Sequence, residues 1–200
     1  LDFKDKYLTI AAATEGSFKD KGSKFLAFAF PVEQVSQIKI ILEQLRKSHQ
    51  GCNHVCYAYL IDPLDPKHRA NDDGEPSSTA GKPILGQLRS KNLCNVLVAV
   101  VRFFGGTQLG VSGLINAYRS AADDALSQAI VVEKLIMKKV KVQCSHVQFG
   151  NLMKYIKYEN LAFDAPEFGL NCVLSVEVPF SKATQHIAQL SAIEEVLVLD

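Results

Sequence analysis

Asp72, Asp73 and Glu75 stand together at the head of a stretch that holds no further acid from Pro76 to Ala122, while Lys82, Arg89, Lys91, Arg102 and Arg119 give that stretch positive charge. Clustered carboxylates raise one another's pKa and offer oxygen ligands, so the trio could hold a hard cation or share the work of acid and base. With Asp73 or Glu75 on a cation, His54 as base and Arg102 bracing an anion, the set would suit a metal-assisted enzyme acting on a phosphate-bearing small molecule, provided these residues line one pocket. The plainer account is an acidic turn before a helix, with Ser78 or Thr79 near its cap, and it is preferred here.

Two other constellations carry less. His49, Cys52, His54 and Cys56 are soft ligands, but they lie on one short segment that cannot wrap a tetrahedral ion, and no second ligand pair occurs elsewhere. No metal or other cofactor is expected. His54, Asp73 and Ser77 or Ser78 supply the residue types of a nucleophilic triad, yet a triad is defined by geometry that spacing alone does not provide.

The elements that position these residues can be read from periodicity. Asn95 to Phe104 is a β-branched apolar run of about ten residues, right for a buried strand and far too short to cross a bilayer. Gly105, Gly106, Gly110 and Gly113 follow, and then Leu114, Ile115, Tyr118, Ala121, Ala122, Ala125 and Leu126 recur at helical spacing. Strand, glycine-rich turn and a helix with no acid in its first turn make a construction that can hold an anion through backbone N–H groups. The competing role for such glycines is close helix-on-sheet packing, and the formal phosphate-loop and dinucleotide motifs are absent.

Earlier in the chain, Tyr7 to Ala13 and Ser23 to Val32 read as strands joined through Gly16 and Gly22, with Lys21 and Lys24 flanking the turn. Val35, Ile38, Ile41, Leu42 and Leu45 form a helical stripe. In the strand His54 to Ile61, alternation places His54, Cys56 and Ala58 on one face and Val55, Tyr57 and Tyr59 on the other. Asp62 to Ala80 reads as a long exposed loop, and Ile84, Leu85 and Leu88 as the apolar face of a following helix.

The two blocks DDGEPSSTAGKPIL at Asp72 to Leu85 and NVLVAVVRFFGGTQLGVSGLINAY at Asn95 to Tyr118 resemble the signature of the YigZ/IMPACT family of small cytoplasmic proteins. Lys24 and Phe25, and His54, Tyr57, Ala58 and Tyr59, also resemble family positions. The resemblance is sharp from Ser23 to Ala129. It implies an α+β protein of two domains. The first is expected to share the β-α fold of the second domain of a small-subunit ribosomal protein and of elongation factor G domain IV. The second is expected to be ferredoxin-like. Eukaryotic-type members regulate translation by competing with a general-control kinase for its activator and carry a further accessory domain that is not within this sequence, so that partner is not carried over.

After Ala129 the residues alone give β-α-β-β-α-β: a strand at Leu135 to Cys144, a helix around Phe149 to Ile156, strands at Leu161 to Phe163 and Asn171 to Val178, a helix with Ile187 and Leu190, and a strand at Val196 to Leu199. That order is a ferredoxin-like split motif. The boundary is placed so that residues 1–131 form the first domain and 132–200 the second.

A net charge of +1 excludes a chain that seeks polyanions by composition, so any nucleic-acid contact depends on where charge is placed. Five scattered cysteines fit reduced thiols in a cytoplasmic protein better than a disulfide framework. No basic segment followed by an apolar core is visible at the start of this sequence, so a secretory signal is not expected. The leading expectation is a translation-associated binding protein that contacts RNA, the ribosome or a translation-related protein, not a membrane. Its candidate ligand-binding residues are Lys24, His54, Asp73, Glu75, Lys82, Arg102, Gly105, Gly106, Gly110, Gly113, Tyr118 and Arg119. A second acid-free stretch, Lys134 to Tyr158, adds Lys138, Lys139, Lys141, Lys154 and Lys157 as candidate nucleic-acid contacts if they share a face.

Overall fold

The computed structural model describes residues 5–199 and divides the chain into two compact units, one of Tyr7–Lys134 and one of residues 135–199 together with Asp5 and Lys6. In the first unit the strands are β1 (Lys6–Ile10), β2 (Thr14–Asp20), β3 (Ser23–Pro31), β4 (His54–Ile61), β5 (Lys67–Asn71) and β6 (Val96–Phe103). The helices are α1 (Val35–Ser48), α2 (Gly81–Ser90) and α3 (Gly110–Ser127), and the chain leaves through β7 (Val131–Leu135), which pairs with β1.

The main sheet has the order β2-β3-β6-β4-β5, antiparallel throughout. Central β6 is buried along almost its whole length, which explains why it reads as an unbroken apolar run and not as an alternation. One face, with Phe25, Ala27, Cys56, Ala58 and Val98, packs beneath Ile84 and Leu88 of α2 and Leu114, Tyr118 and Ala122 of α3. The other, with Phe28, Val55, Tyr59 and Val101, lies under Ile38 and Leu45 of α1. The alternation expected for β4 is therefore the one observed.

Two strands lie where connections were expected. β2 carries no apolar alternation, but Lys21 (φ 43°) and Gly22 (φ 80°) form a two-residue turn with both φ positive, which matches strand twist and folds Thr14–Asp20 back onto β3. β5 lies inside the expected 62–80 loop. Its sequence KHRAN is polar because it is an edge strand, paired among the described residues with β4 alone.

The second unit contains β8 (Met137–Cys144), α4 (Phe149–Tyr158), β9 (Ala162–Phe163), β10 (Glu167–Phe168), β11 (Cys172–Pro179), a 3-10 turn, α5 (Ala183–Ser191) and β12 (Val196–Leu199). Its sheet runs β10-β11-β8-β12, with β9 also on β11. The expected single strand from Leu135 to Cys144 is broken at Ile136, whose N–H donates to the Asp5 carbonyl and whose carbonyl accepts from Phe180 instead of joining a ladder. Val140, Val142, Cys144, Leu174 and Val176 pack with Leu152 and Ile156 of α4 and Leu190 of α5. Among the described residues no helix is long and apolar enough to cross a membrane.

Candidate functional site

His54 opens β4 directly opposite Arg102 near the end of β6, so the ladder register brings base and guanidinium together. Arg102 is only 6% exposed and Glu75 only 9%. Glu75 Oε1 accepts from Arg102 Nη1 at 2.6 Å and from the Tyr118 hydroxyl at 2.7 Å, and His54 Nε2 lies 3.9 Å from the same oxygen. The guanidinium carbon sits 5.4 Å from the Phe25 ring centre and 5.5 Å from that of Phe104, so two aromatic faces share in holding the cation. Arg102 Nε is buried with no hydrogen-bond partner among the described residues.

Behind Glu75 the network continues inward. The Cys56 thiol lies 3.3 Å from the Tyr118 hydroxyl and 3.0 Å from the Asp72 carbonyl. Burial drives the Cys56 pKa far above the ordinary thiol value, and the charges of Glu75, Asp73 and Asp72 add to the rise while the Tyr118 contact opposes it. Burial likewise drives the Tyr118 pKa far up, assisted by Cys56 and Glu75. Both groups hold their protons at any physiological pH.

The three acids do not form one cation site. Asp72 caps α2: its carboxylate accepts from the backbone N–H groups of Ser78, Ala80 and Gly81 at 2.8, 3.0 and 2.8 Å. Burial acts to raise its pKa, but these donors, helped by the charge of Lys82, win and hold it below the usual value. The cap expected from Ser78 or Thr79 is thus supplied from upstream, and the Thr79 hydroxyl donates to Pro76 instead. Asp73 Oδ2 accepts from Arg46 at 2.7 Å and from the Val55 N–H at 2.6 Å, while its carbonyl meets His54 Nδ1 at 2.7 Å. Each carboxylate faces separate protein partners, and no group of three or more metal-ligating side chains forms among the described residues.

A cleft of about 360 Å3 opens beside this centre, lined by Glu75, Arg102, Phe104, Leu109, Val111 and Leu114 among others. His54 and Asp73 are outside its lining, so the pocket needed for the enzyme reading takes up only part of the proposed set. At its rim Phe104 is 46% and Val111 60% exposed.

Several candidate residues have other employment. Arg102 cannot serve as an exposed phosphate contact because it is buried against Glu75. Tyr118 is completely buried. The Gly105 N–H donates to Ser23 Oγ at 3.2 Å, and Gly105 itself faces the backbone of Gly22 so closely that an added Cβ would fall 1.9 Å from the Gly22 carbonyl carbon. Gly105 is there for backbone approach. Gly106 sits in the exposed connection with φ 86°, Gly110 is the first residue of α3 with φ 73°, and Gly113 lies in the first turn of that helix. Lys24, Lys82 and Arg119 are exposed, on β3, α2 and α3, and Arg119 reaches Asn116 on its own helix.

The second lysine set does not share one face. Lys139 and Lys141 alternate with the buried Val140 and Val142, so they stand on the face away from α4, whereas Lys154 and Lys157 are on the exposed side of α4 itself. Lys138 has the parity of the buried residues but lies exposed at the start of β8. Lys139 is also neutralised, 3.1 Å from Asp164 and 3.6 Å from Glu177. Two further residues complete the polar centre: Ser23, whose hydroxyl lies 3.5 Å from Arg102 Nη2 and whose only sequence signal is its place beside a turn, and Cys56, singled out in the sequence as a soft ligand but here a buried thiol on an alternating strand.

Comparison with known proteins places this arrangement. The Impact N-terminal domain model matches residues 21–126, just over half of the chain. The chain is 32% identical over 169 residues to the IMPACT family member YvyE of Bacillus subtilis, covering 79% of this chain and 78% of that protein. It is 28% identical over 173 residues to YigZ of Escherichia coli, covering 86% and 85%. A crystal structure of a hypothetical protein superimposes with a TM-score of 0.81 at 26% identity, covering 98% of both chains. The matched segment holds the whole polar centre, from Ser23 through Glu75 and Arg102 to Tyr118, and the chain belongs to the IMPACT family as a bacterial, YigZ/YvyE-type member.

Proposed function

We propose that this protein is a cytoplasmic binding protein of the translation apparatus, engaging RNA, the ribosome or a ribosome-bound partner, and that it does not act as an enzyme. The observation that carries the binding part is the closure of the polar centre. A general base needs an accessible group that titrates near the working pH, and a nucleophile needs a lowered pKa. Here Cys56 and Tyr118 are held protonated, and Glu75 already accepts from Arg102 and Tyr118. The network ties the start of β4 and the end of β6 to the middle of α3 through Tyr118, and the accessible chemistry lies outside it, on the surface.

The translational part rests on family resemblance, since eukaryotic-type members regulate translation. The finer fold reading supports it by analogy only. The first unit is taken as akin to the second domain of a small-subunit ribosomal protein and elongation factor G domain IV. The second is taken as ferredoxin-like, with its strand order in support. Metal-assisted catalysis on a phosphate-bearing substrate is the weaker reading because Asp72, Asp73 and Glu75 face separate partners. Co-sedimentation tests the proposal: the protein should pellet with ribosomes at about 50 mM salt and be released as salt rises toward about 200 mM. Failure to pellet at the lower salt overturns it.

A further inference from the structure

The tip of the β2–β3 hairpin gathers positive charge in a way the fold itself does not require. Lys19 and Lys24 are direct cross-strand partners, and side chains in such a pair stand about 5 Å apart at Cβ, where like charges oppose folding. Lys21 occupies the first turn position at φ 43°, a conformation that Asn, Asp or Gly adopts at lower cost. All three lysines are exposed, and among the described residues none of them forms an ion pair; Lys82, Lys138 and Lys141 are unpaired too, and what sets the tip apart is that two of its lysines face each other directly and all three share one concavity. Lys19, Lys21 and Lys24, with Asp20, Gly22 and Ser23, line an open concavity of about 390 Å3.

The tip is also held in place. Gly22 lies against the Gly105 backbone, and the neighbouring Ser23 Oγ accepts the Gly105 N–H. A pre-ordered cationic tip loses less freedom on binding than a mobile one.

We propose that Lys19, Lys21 and Lys24 grip the phosphate backbone of RNA. The proposal rests on the reading of this protein as a partner of RNA or the ribosome, and it names the surface. Lysine is depleted from protein–protein interfaces, whose buried centres are apolar and aromatic, and no large apolar side chain lines this concavity. Phosphates, in contrast, are bound by compact charges that displace counterions, and open lysines supply them.

The test is fluorescence anisotropy with a labelled mixed-sequence RNA that contains a stem and a single-stranded tail, titrated at several salt concentrations. Replacing the three residues together, Lys19→Gln, Lys21→Gln and Lys24→Gln, should weaken binding at least tenfold at about 50 mM salt. It should also flatten the log affinity against log salt slope by about 2, near 0.7 for each lost contact. The parallel variant Lys138→Gln, Lys139→Gln and Lys141→Gln should leave affinity and slope near wild type. An unchanged melting curve, or a higher melting temperature, for the tip variant shows that it is folded.

Three outcomes overturn the proposal: wild-type protein that does not bind this RNA at about 50 mM salt, a tip variant with unchanged slope, or tip-dependent binding of polyglutamate without binding of RNA. Ribosome co-sedimentation separates this surface from the broader reading. A tip variant that binds RNA and pellets like wild type leaves the translational reading standing and removes this surface. Wild-type protein that binds RNA through the tip but never pellets with ribosomes does the reverse.

Discussion

Two lysine-bearing surfaces of this protein treat charge in opposite ways. On the sheet of the second unit Lys139 stands across from Glu177 and within reach of Asp164, so strand register and a neighbouring turn neutralise it. At the β2–β3 hairpin the register sets Lys19 against Lys24, with no acid paired to either among the described residues. The first arrangement is what a solvated sheet face adopts for its own stability. The second opposes stability, and its natural use is an external anion. Between these extremes lies Arg102, whose charge is almost wholly buried, paired to Glu75 and within cation–π distance of two aromatic rings. The contrast shows that positive residues must be sorted by what faces them, because all three kinds look alike along the chain.

The sharpest way to break this contrast is at the internal pair. Arg102→Met should destabilise the protein by about 3–5 kcal/mol in urea unfolding, because Glu75 would be left buried without its cation. The double variant Arg102→Met with Glu75→Leu should recover much of that loss. If the single variant costs nothing, the pair is not the organising contact described here. Next in size, Gly105→Ala should cost about 1–3 kcal/mol, since its Cβ would enter the backbone of Gly22 and separate the hairpin from the β6–α3 connection. Loss of RNA binding along with that destabilisation would tie the tip to its support.

Asp72→Ala removes the acceptor of three backbone donors at the start of α2 and should cost about 1–2 kcal/mol. The folded-state pKa of Asp72 lies below its usual 3.8, so the carboxylate stabilises the fold fully above the unfolded value and loses that effect as pH falls through the folded value. Wild-type stability should therefore decline below about pH 4. Asp72→Asn should reduce that decline, as read from melting temperature against pH.

The smallest effects distinguish the two surfaces directly. Lys19→Glu should raise the melting temperature by about 1–3 °C by converting a like-charge pair into an attractive one. Lys139→Ala should leave the urea midpoint unchanged, because an exposed ion pair on a solvated face contributes little. A fall in melting temperature for Lys19→Glu would mean that the two ammonium groups do not oppose each other.

Much of this fold is legible residue by residue. The boundaries of β4 and β12 follow from apolar patterning, as does the switch from strand to helix between Asn95 and Leu126, because a half-buried or fully buried element writes its environment into a period of two, 3.6 or none. β2 and β5 are not legible in that way, since edge strands bury little and their polar sequences resemble loops. The break at Ile136 is equally hidden, because it depends on Asp5 and Phe180, both distant in sequence.

The candidate site divides along the same line. Family-type blocks around Asp72 and Arg102 and the local absence of acid are properties of the chain itself, and they bring Glu75, Arg102 and Tyr118 to notice without any structure. Sequence by itself determined which residues carry charge, which faces of β4 and α3 are apolar, and which family the chain resembles. Only the tertiary structure decided that Arg102 faces inward, that Asp72 is a helix cap and not a metal ligand, and that Lys19 and Lys24 face each other across a hairpin. The physical reason is that burial and pairing of a charge depend on groups brought near by strand register and helix packing, whose distance in space has no trace in local periodicity.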